Sequence, residues 1–320
     1  MKSFLICAVI LLSLGGSNSQ AFSQSTYEPI PFGDMDNWVD RQIKESLLIG
    51  GATRQVYAVG PTQTVTGNKP YVNLGGSPWA TSNVLAYVAG IYKTNVSVYP
   101  EKRDNGYCAR LDTHLEKVKV LGIVNITVLA AGSLFLGDVH EPIQSTKNPQ
   151  KMLNSGIPFT QRPVAVTFDY QVKLADSDHR IRATGFSKIR EVEGRDYPEV
   201  TLFLQKRWED ADGNIYAKRV GTMVVRFTQS CDWQNHATFA ILYGDITTRP
   251  EYTPENMQLQ VVERYAVNSK GKSTPIQEIG WAAPDEVPTH LFLQFASSHG
   301  GAYIGSPGNS LCIDNVGFVY

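Results

Sequence analysis

An all-β, two-sheet sandwich is the fold class the sequence predicts, and three observations predict it. The closing segment Thr289–Tyr320 holds two strand-like runs, Leu291–Phe295 and Leu311–Tyr320, around a glycine- and serine-rich loop. Roughly a dozen short apolar runs separated by turn residues occupy most of the chain. Fifteen tyrosines and 27 glycines suit strands joined by long loops.

The chain of 320 residues carries a formal net charge of −1 and is 42% hydrophobic, enough to bury a sizeable core. This balance points neither to nucleic acid nor to an acidic membrane surface. Residues 1–23 read as a signal peptide. Lys2 supplies the positive start, Phe4–Leu14 the apolar stretch, and Gly15–Ser23 the small residues before cleavage. Export to the periplasm, cell surface or medium is expected, with residues 24–320 as one domain. No later run reaches a convincing transmembrane segment. Val120–Leu136 comes nearest, but Asn125, Thr127 and Ser133 interrupt it. Three cysteines follow the leader, Cys108, Cys231 and Cys312. The odd number leaves at least one thiol free in a monomer, and the residue type favours burial.

In chain order, Asp36 or Asn37 caps a short N-terminal helix with Val39, Ile43 and Leu47 on one face, ended by Gly50-Gly51. Strands are then expected at Gln55–Val59, Asn83–Val88, Val96–Tyr99, Cys108–Leu111, Val118–Val120, Val124–Leu129 and Ser133–Leu136. Prolines 142, 149 and 158 make His140–Phe159 loop-like. Val164, Val166, Phe168 and Tyr170 alternate along Val164–Lys173. The segment Val200–Phe227 reads as a hairpin whose turn uses Asp212-Gly213-Asn214. Further strands are expected at Thr238–Tyr243 and Gln258–Val262. In the last strand, alternation puts Leu311, Ile313 and Val319 on one face and Val316, Phe318 and Tyr320 on the other. Asp314 lies within that apolar run, where a carboxylate needs a partner.

The sequence has no G-x-S-x-G elbow, H-E-x-x-H, P-loop or dinucleotide-binding glycine pattern. Glycoside hydrolysis needs only two carboxylates that meet in space, and Glu101, Asp104, Asp112, Glu209 and Asp245 are all conceivable members. Asp210–Asn214 resembles a calcium loop only faintly, and a hairpin turn explains it better. Aromatic residues are the better clue. A sugar presents C–H faces beside hydroxyls, so its site wants a flat ring next to planar hydrogen-bonding side chains. Trp79, Trp233, Trp281 and Tyr303 stand in polar or glycine-rich settings that suit ligand binding. Trp38 and Trp208 suit core and hairpin packing.

The ordered stretches FGDMDNWVDRQIKES, SPWATSNV, GYCARLDT, GSLFLG, QKRWEDADGN, YGDIT and GGAYIGSPGNSLCIDNV carry a family likeness. Through them the chain from about Phe32 to Tyr320 resembles the putative carbohydrate metabolism domain family of Bacteroidota. SLCIDNVGFVY also looks like the last strand of jelly-roll carbohydrate-binding domains. The resemblance implies a jelly roll that handles glycans, with no agreed catalytic residues. It also implies a structural calcium shared by an acid near the first strand, Asp34 or Asp36, and Asp314. Three functions stay open: an exported carbohydrate-binding protein for an oligo- or polysaccharide, a glycoside hydrolase with a dispersed carboxylate pair, and a non-catalytic cell-surface assembly protein.

Overall fold

A computed structural model describes residues 26–88, 90–120, 124–145, 148–185 and 187–320. The stretch expected to be a signal peptide, residues 1–23, lies outside the described residues. Two large sheets form an all-β sandwich of the jelly-roll kind. The eight-stranded sheet runs Thr184–Gly185, Val124–Ala131, Gly106–Val120, Ser310–Val319, Ala165–Lys173 and Cys231–Ala240, with Tyr27–Pro29 and Val98–Arg103 attached. The ten-stranded sheet runs Leu153–Ser155, Ser133–Val139, His290–Ala296, Glu199–Glu209, Ile215–Arg226, Ser273–Trp281 and Tyr265–Val267, with three short strands attached. Its pairing of Ile215–Arg226 with Ser273–Trp281 is parallel. No helix among the described residues is long and apolar enough to cross a membrane.

The core lies between the sheets. Ala109, Leu111, Val166, Phe168, Leu311 and Ile313 meet Leu134, Leu136, Leu202, Leu204, Leu291, Leu293 and Phe295 there, all nearly inaccessible to water. Each buried leucine contributes about 1.5–3 kcal/mol of transfer free energy. A second cluster, Phe203, Val224, Ile246, Met257 and Phe292, covers the other face of the ten-stranded sheet. That sheet is therefore buried on both sides, whereas the eight-stranded sheet turns one face to solvent.

The hairpin forms as expected, Glu199–Glu209 against Ile215–Arg226. Its turn is held by the Asp210 carboxylate, which accepts from the amides of Asp212 and Asn214 at 3.0 and 2.8 Å. Gly213 takes φ +91°, a conformation only glycine adopts cheaply. Trp208 packs across this hairpin on Tyr216, ring centroids 6.0 Å apart, while keeping 40% of its surface exposed.

Three expectations are corrected. The predicted N-terminal helix is a strand, Trp38–Lys44, followed by a 3-10 turn at Leu47–Ile49. Val39 and Ile43 are four apart, a spacing that satisfies both helical and strand periods. The deciding residue is Arg41, which is buried between them and paired with Glu141. Leu47, assigned to the apolar helix face, is 85% exposed. The described α-helix is Pro254–Met257, and the segment that follows it, expected to be a strand at Gln258–Val262, is instead a run of turns and bends. The closing strand also breaks its alternation. Asn315 takes φ +51° and inserts a bulge, so Leu311, Ile313, Val316 and Phe318 all join one core.

Candidate carbohydrate site on the open sheet face

Side chains alternate along strands, so burying Leu111, Leu311, Ile313, Val166 and Phe168 points their neighbours outward. Five adjacent strands thereby build one polar surface. Val98–Arg103 supplies Tyr99, Glu101 and Arg103, and Gly106–Val120 supplies Cys108, Arg110 and Asp112. The closing strand supplies Cys312 and Asp314, and Ala165–Lys173 supplies Asp169 and Gln171. The fifth, Cys231–Ala240, shifts register twice against its neighbour, with His236 at φ +52°. The shifts let Phe239 stack on Phe168 in the core, centroids 4.8 Å apart, while Trp233 turns out to meet Arg103.

Arg103 is the hub. Its guanidinium donates to Asp314 Oδ2 at 2.6 Å and to Asn235 Oδ1 at 2.7 Å, and reaches Asp169 Oδ2 at 2.8 Å. It lies 3.9 Å from the centre of the Trp233 ring, a cation–π stack that holds the indole in place. Asn315 Nδ2 donates to Asp169 at 2.9 Å, and the His236 amide donates to it at 2.6 Å. One guanidinium thus serves two carboxylates that face each other across paired strands. Burial pushes the Asp314 carboxyl up to about 6, despite the bonds from Arg103. Burial acts the same way on Asp169, but the His236 amide, Asn315 and Arg103 hold its carboxyl below the usual carboxylate range.

Next to this hub is a cavity of about 210 Å³ lined by Trp233, Glu101, Arg110, Gln171, Lys173 and Cys312 among others. Arg110 reaches Glu101 and, at 3.1 Å, Asp112, and its guanidinium lies over Tyr99 at 5.0 Å. The cavity therefore combines an aromatic ring with a planar guanidinium, an amide, carboxylates and an ammonium. Cys108 and Cys312 sit side by side in its floor. All three described cysteines are free thiols, two buried and Cys231 half-buried. The Cys312 thiol, hydrogen-bonded by Cys108, titrates below its ordinary value, and the same bond raises Cys108.

The expected ligand-binding residues are not brought together. Trp233 lies in the site, though on a strand rather than in a loop. Trp79 is a correction: it is wholly buried, its indole N–H donates to Pro31 O at 2.9 Å, and its ring packs 6.3 Å from Phe295. Trp281 is half-buried on the far side of the other sheet, 5.6 Å from Arg219. Tyr303 sits at φ +65° in the loop beside Ile304–Gly305, half-buried. The carboxylates divide likewise. Glu101 and Asp112 lie on the open face, while Glu209 accepts from Ser269 and Asp245 from Thr247 elsewhere.

Nor do the three acids expected at a calcium form a ligand set. Asp314 is engaged by Arg103 and by the Asn315 amide, and exposed Asp36 accepts the Tyr107 amide at 2.8 Å. Asp34 Oδ1 faces the Asp36 amide at 3.5 Å. Among the described residues no group of three or more His, Cys, Asp or Glu is arranged to hold a metal ion. Arg103, Asp169, Arg110 and Gln171 were missed by sequence reasoning. The one local signal was the alternation of Phe168 and Tyr170 with Asp169 between them, which marks Asp169 as facing away from the core.

Among curated proteins none matches the chain significantly. One solved structure similar to it is described as a putative glycoside hydrolase from Bacteroides thetaiotaomicron. It is 17% identical, with 84% of this chain and 81% of that one covered, at a TM-score of 0.43. The sequence model of the putative carbohydrate metabolism domain matches residues 61–319, and the chain belongs to that family.

Proposed function

We propose that the open face of the eight-stranded sheet binds a carbohydrate, with one sugar unit seated against Trp233. The observation that carries this reading is the roughly sugar-sized cavity of about 210 Å³ beside an indole already fixed by Arg103. A ring immobilised before binding loses little further side-chain entropy when a sugar stacks on it. Arg110, Gln171 and Glu101 would read hydroxyls through fixed, planar groups. The family's carbohydrate description agrees with this chemistry. The protein would work after export, as its leader suggests, on an oligo- or polysaccharide outside the cytoplasm.

The test is a binding screen of purified residues 24–320 against bacterial, host and plant polysaccharides. A selective ligand whose affinity collapses in W233A, while the melting temperature holds, supports the site. A selective ligand that binds W233A equally well places recognition elsewhere and overturns it, as does a flat screen.

A second reading, glycoside cleavage, is favoured by the Asp169–Asp314 pair. Neighbouring carboxylates whose acidities are driven apart are the general requirement for an acid and a base in one site. Arg103 occupies both carboxylates, which is why binding is preferred. Product analysis on the selected glycan separates the two readings. Released sugar that disappears in both D169N and D314N supports cleavage, and an unchanged polymer supports binding alone.

A further inference from the structure

The covered side of the ten-stranded sheet holds an ion cluster with an excess of positive charge. Glu278 accepts from Arg219 through two oxygens and from Gln205 Nε2 at 2.6 Å, and the Gln260 amide adds a bond at 3.2 Å. Gln205 Oε1 in turn accepts from Arg207 Nε at 2.7 Å, and Ser155 O accepts from Arg207 Nη1 at 2.8 Å. Arg264 closes the group. Its guanidinium lies over the rings of Phe203 and Phe292, at 4.8 and 4.5 Å, and its described hydrogen bond is to Val262 O at 3.3 Å. Three guanidiniums therefore face one carboxylate.

The surrounding titratable groups do not restore the balance. Glu263 is exposed and engaged by the Tyr265 hydroxyl at 2.6 Å. Burial and the nearby Arg207 push His290 down to about 4, so it is neutral and supplies no charge. Glu199 is committed to Arg226. Arg207 itself is 8% exposed, yet its Nη2 is buried with no hydrogen-bond partner among the described residues. A buried guanidinium nitrogen left without an acceptor is costly, because it has given up water for nothing. The strain is visible in both outer cations. Burial lowers Arg207 to about 9 and Arg264 to about 10, with the Arg264 charge adding to the first and the Arg219 charge to the second.

We propose that a small monovalent anion, chloride or a carboxylate group, binds at Arg207 Nη2, within the field of Arg264, and completes this cluster. Such an anion would accept the unpartnered N–H and cancel part of the excess charge. It would also tie the Gln260–Arg264 segment to the sheet. Its role is to stabilise the covered face, independent of the carbohydrate site on the opposite sheet.

The experiment is thermal melting of residues 24–320 at fixed ionic strength, exchanging bulky isethionate stepwise for chloride or for acetate. The expected result is a rise that becomes logarithmic above the dissociation constant, about 2–4 °C per tenfold concentration. A response to chloride alone marks a halide-sized site, and a response to acetate marks a carboxylate site. R207M should abolish the dependence. If R207M does not fold, R264M, altered at the half-buried rim, should weaken it while circular dichroism stays native. Identical midpoints in all three salts overturn the proposal. So does an anion dependence that survives unchanged in a folded Arg207 or Arg264 variant.

Discussion

Arg103 and Arg219 make nearly the same contacts on opposite sides of the molecule. Each guanidinium bonds carboxylate oxygens and lies over an aromatic ring, Trp233 at 3.9 Å for Arg103 and Phe203 at 3.4 Å for Arg219. The difference is what lies above them. Arg219 and Glu278 are sealed, with side chains 1% and 5% exposed. Arg103 opens onto solvent at 12%, beside a cavity. The comparison teaches that similar local chemistry is sealed as scaffold where a chain segment covers it and stays open to solvent, as the proposed binding surface, where none does.

The largest effect should come from breaking the sealed pair. E278A leaves Arg219 as an uncompensated buried charge and should cost about 3–5 kcal/mol in urea unfolding. A loss below about 1 kcal/mol would mean that water reaches Arg219 after all, and the contrast between the two sides would fail.

The tryptophans sharpen the same contrast. W79A empties a core position and should cost about 3–5 kcal/mol. W233A removes a half-buried ring from an edge strand and should cost about 1 kcal/mol or less, while weakening glycan binding about tenfold or more. Calorimetry of both variants, for melting and for binding, reads the difference directly.

Acidity gives an intermediate effect. Asp314 moves from 3.8 to about 6 on folding, so the folded state binds its proton more tightly. Its contribution to stability is therefore favourable at low pH and falls as pH rises through about 4 to 6. D314N mimics the protonated form. Its stability relative to the wild type should improve by about 1–3 kcal/mol between pH 4 and pH 7. Asp169 acts oppositely, since its lowered value is a stabilisation lost only as pH falls below the ordinary carboxylate range. A D314N-to-wild-type difference that does not vary with pH would show that Arg103 neutralises Asp314 fully.

The smallest effect belongs to Arg110. The side chains in its bonds to Glu101 and Asp112 are 28–46% exposed, and R110Q should change stability by about 0–1 kcal/mol. Its consequence should instead appear in glycan affinity, measured on the same ligand that W233A binds more weakly.

Local pattern made some of this protein legible. The strand at Ala165–Lys173 and the Asp210–Asn214 hairpin follow from alternation and turn chemistry acting within a few residues. Trp233 was recognisable as an outward-facing ring from its polar neighbours. The helix expected at Val39–Leu47 failed because the spacing of Val39 and Ile43 is ambiguous and the burial of Arg41 depends on Glu141, 100 residues away. Trp79 failed for the same kind of reason: its polar N–H finds a carbonyl only once Pro31 has been folded beside it.

By itself, then, the sequence determined the all-β class, the hairpin and the family, because these rest on short-range periodicity and ordered stretches of residues. The tertiary structure alone decided the site. Arg103 meets Asp169, Asp314 and Trp233 across four strands far apart in the chain, and a single bulge at Asn315 turns Val316 and Phe318 into the core. Which of two similar arginine clusters faces water is likewise a matter of which sheet the segment around Pro254–Met257 folds over, and no local spacing encodes that.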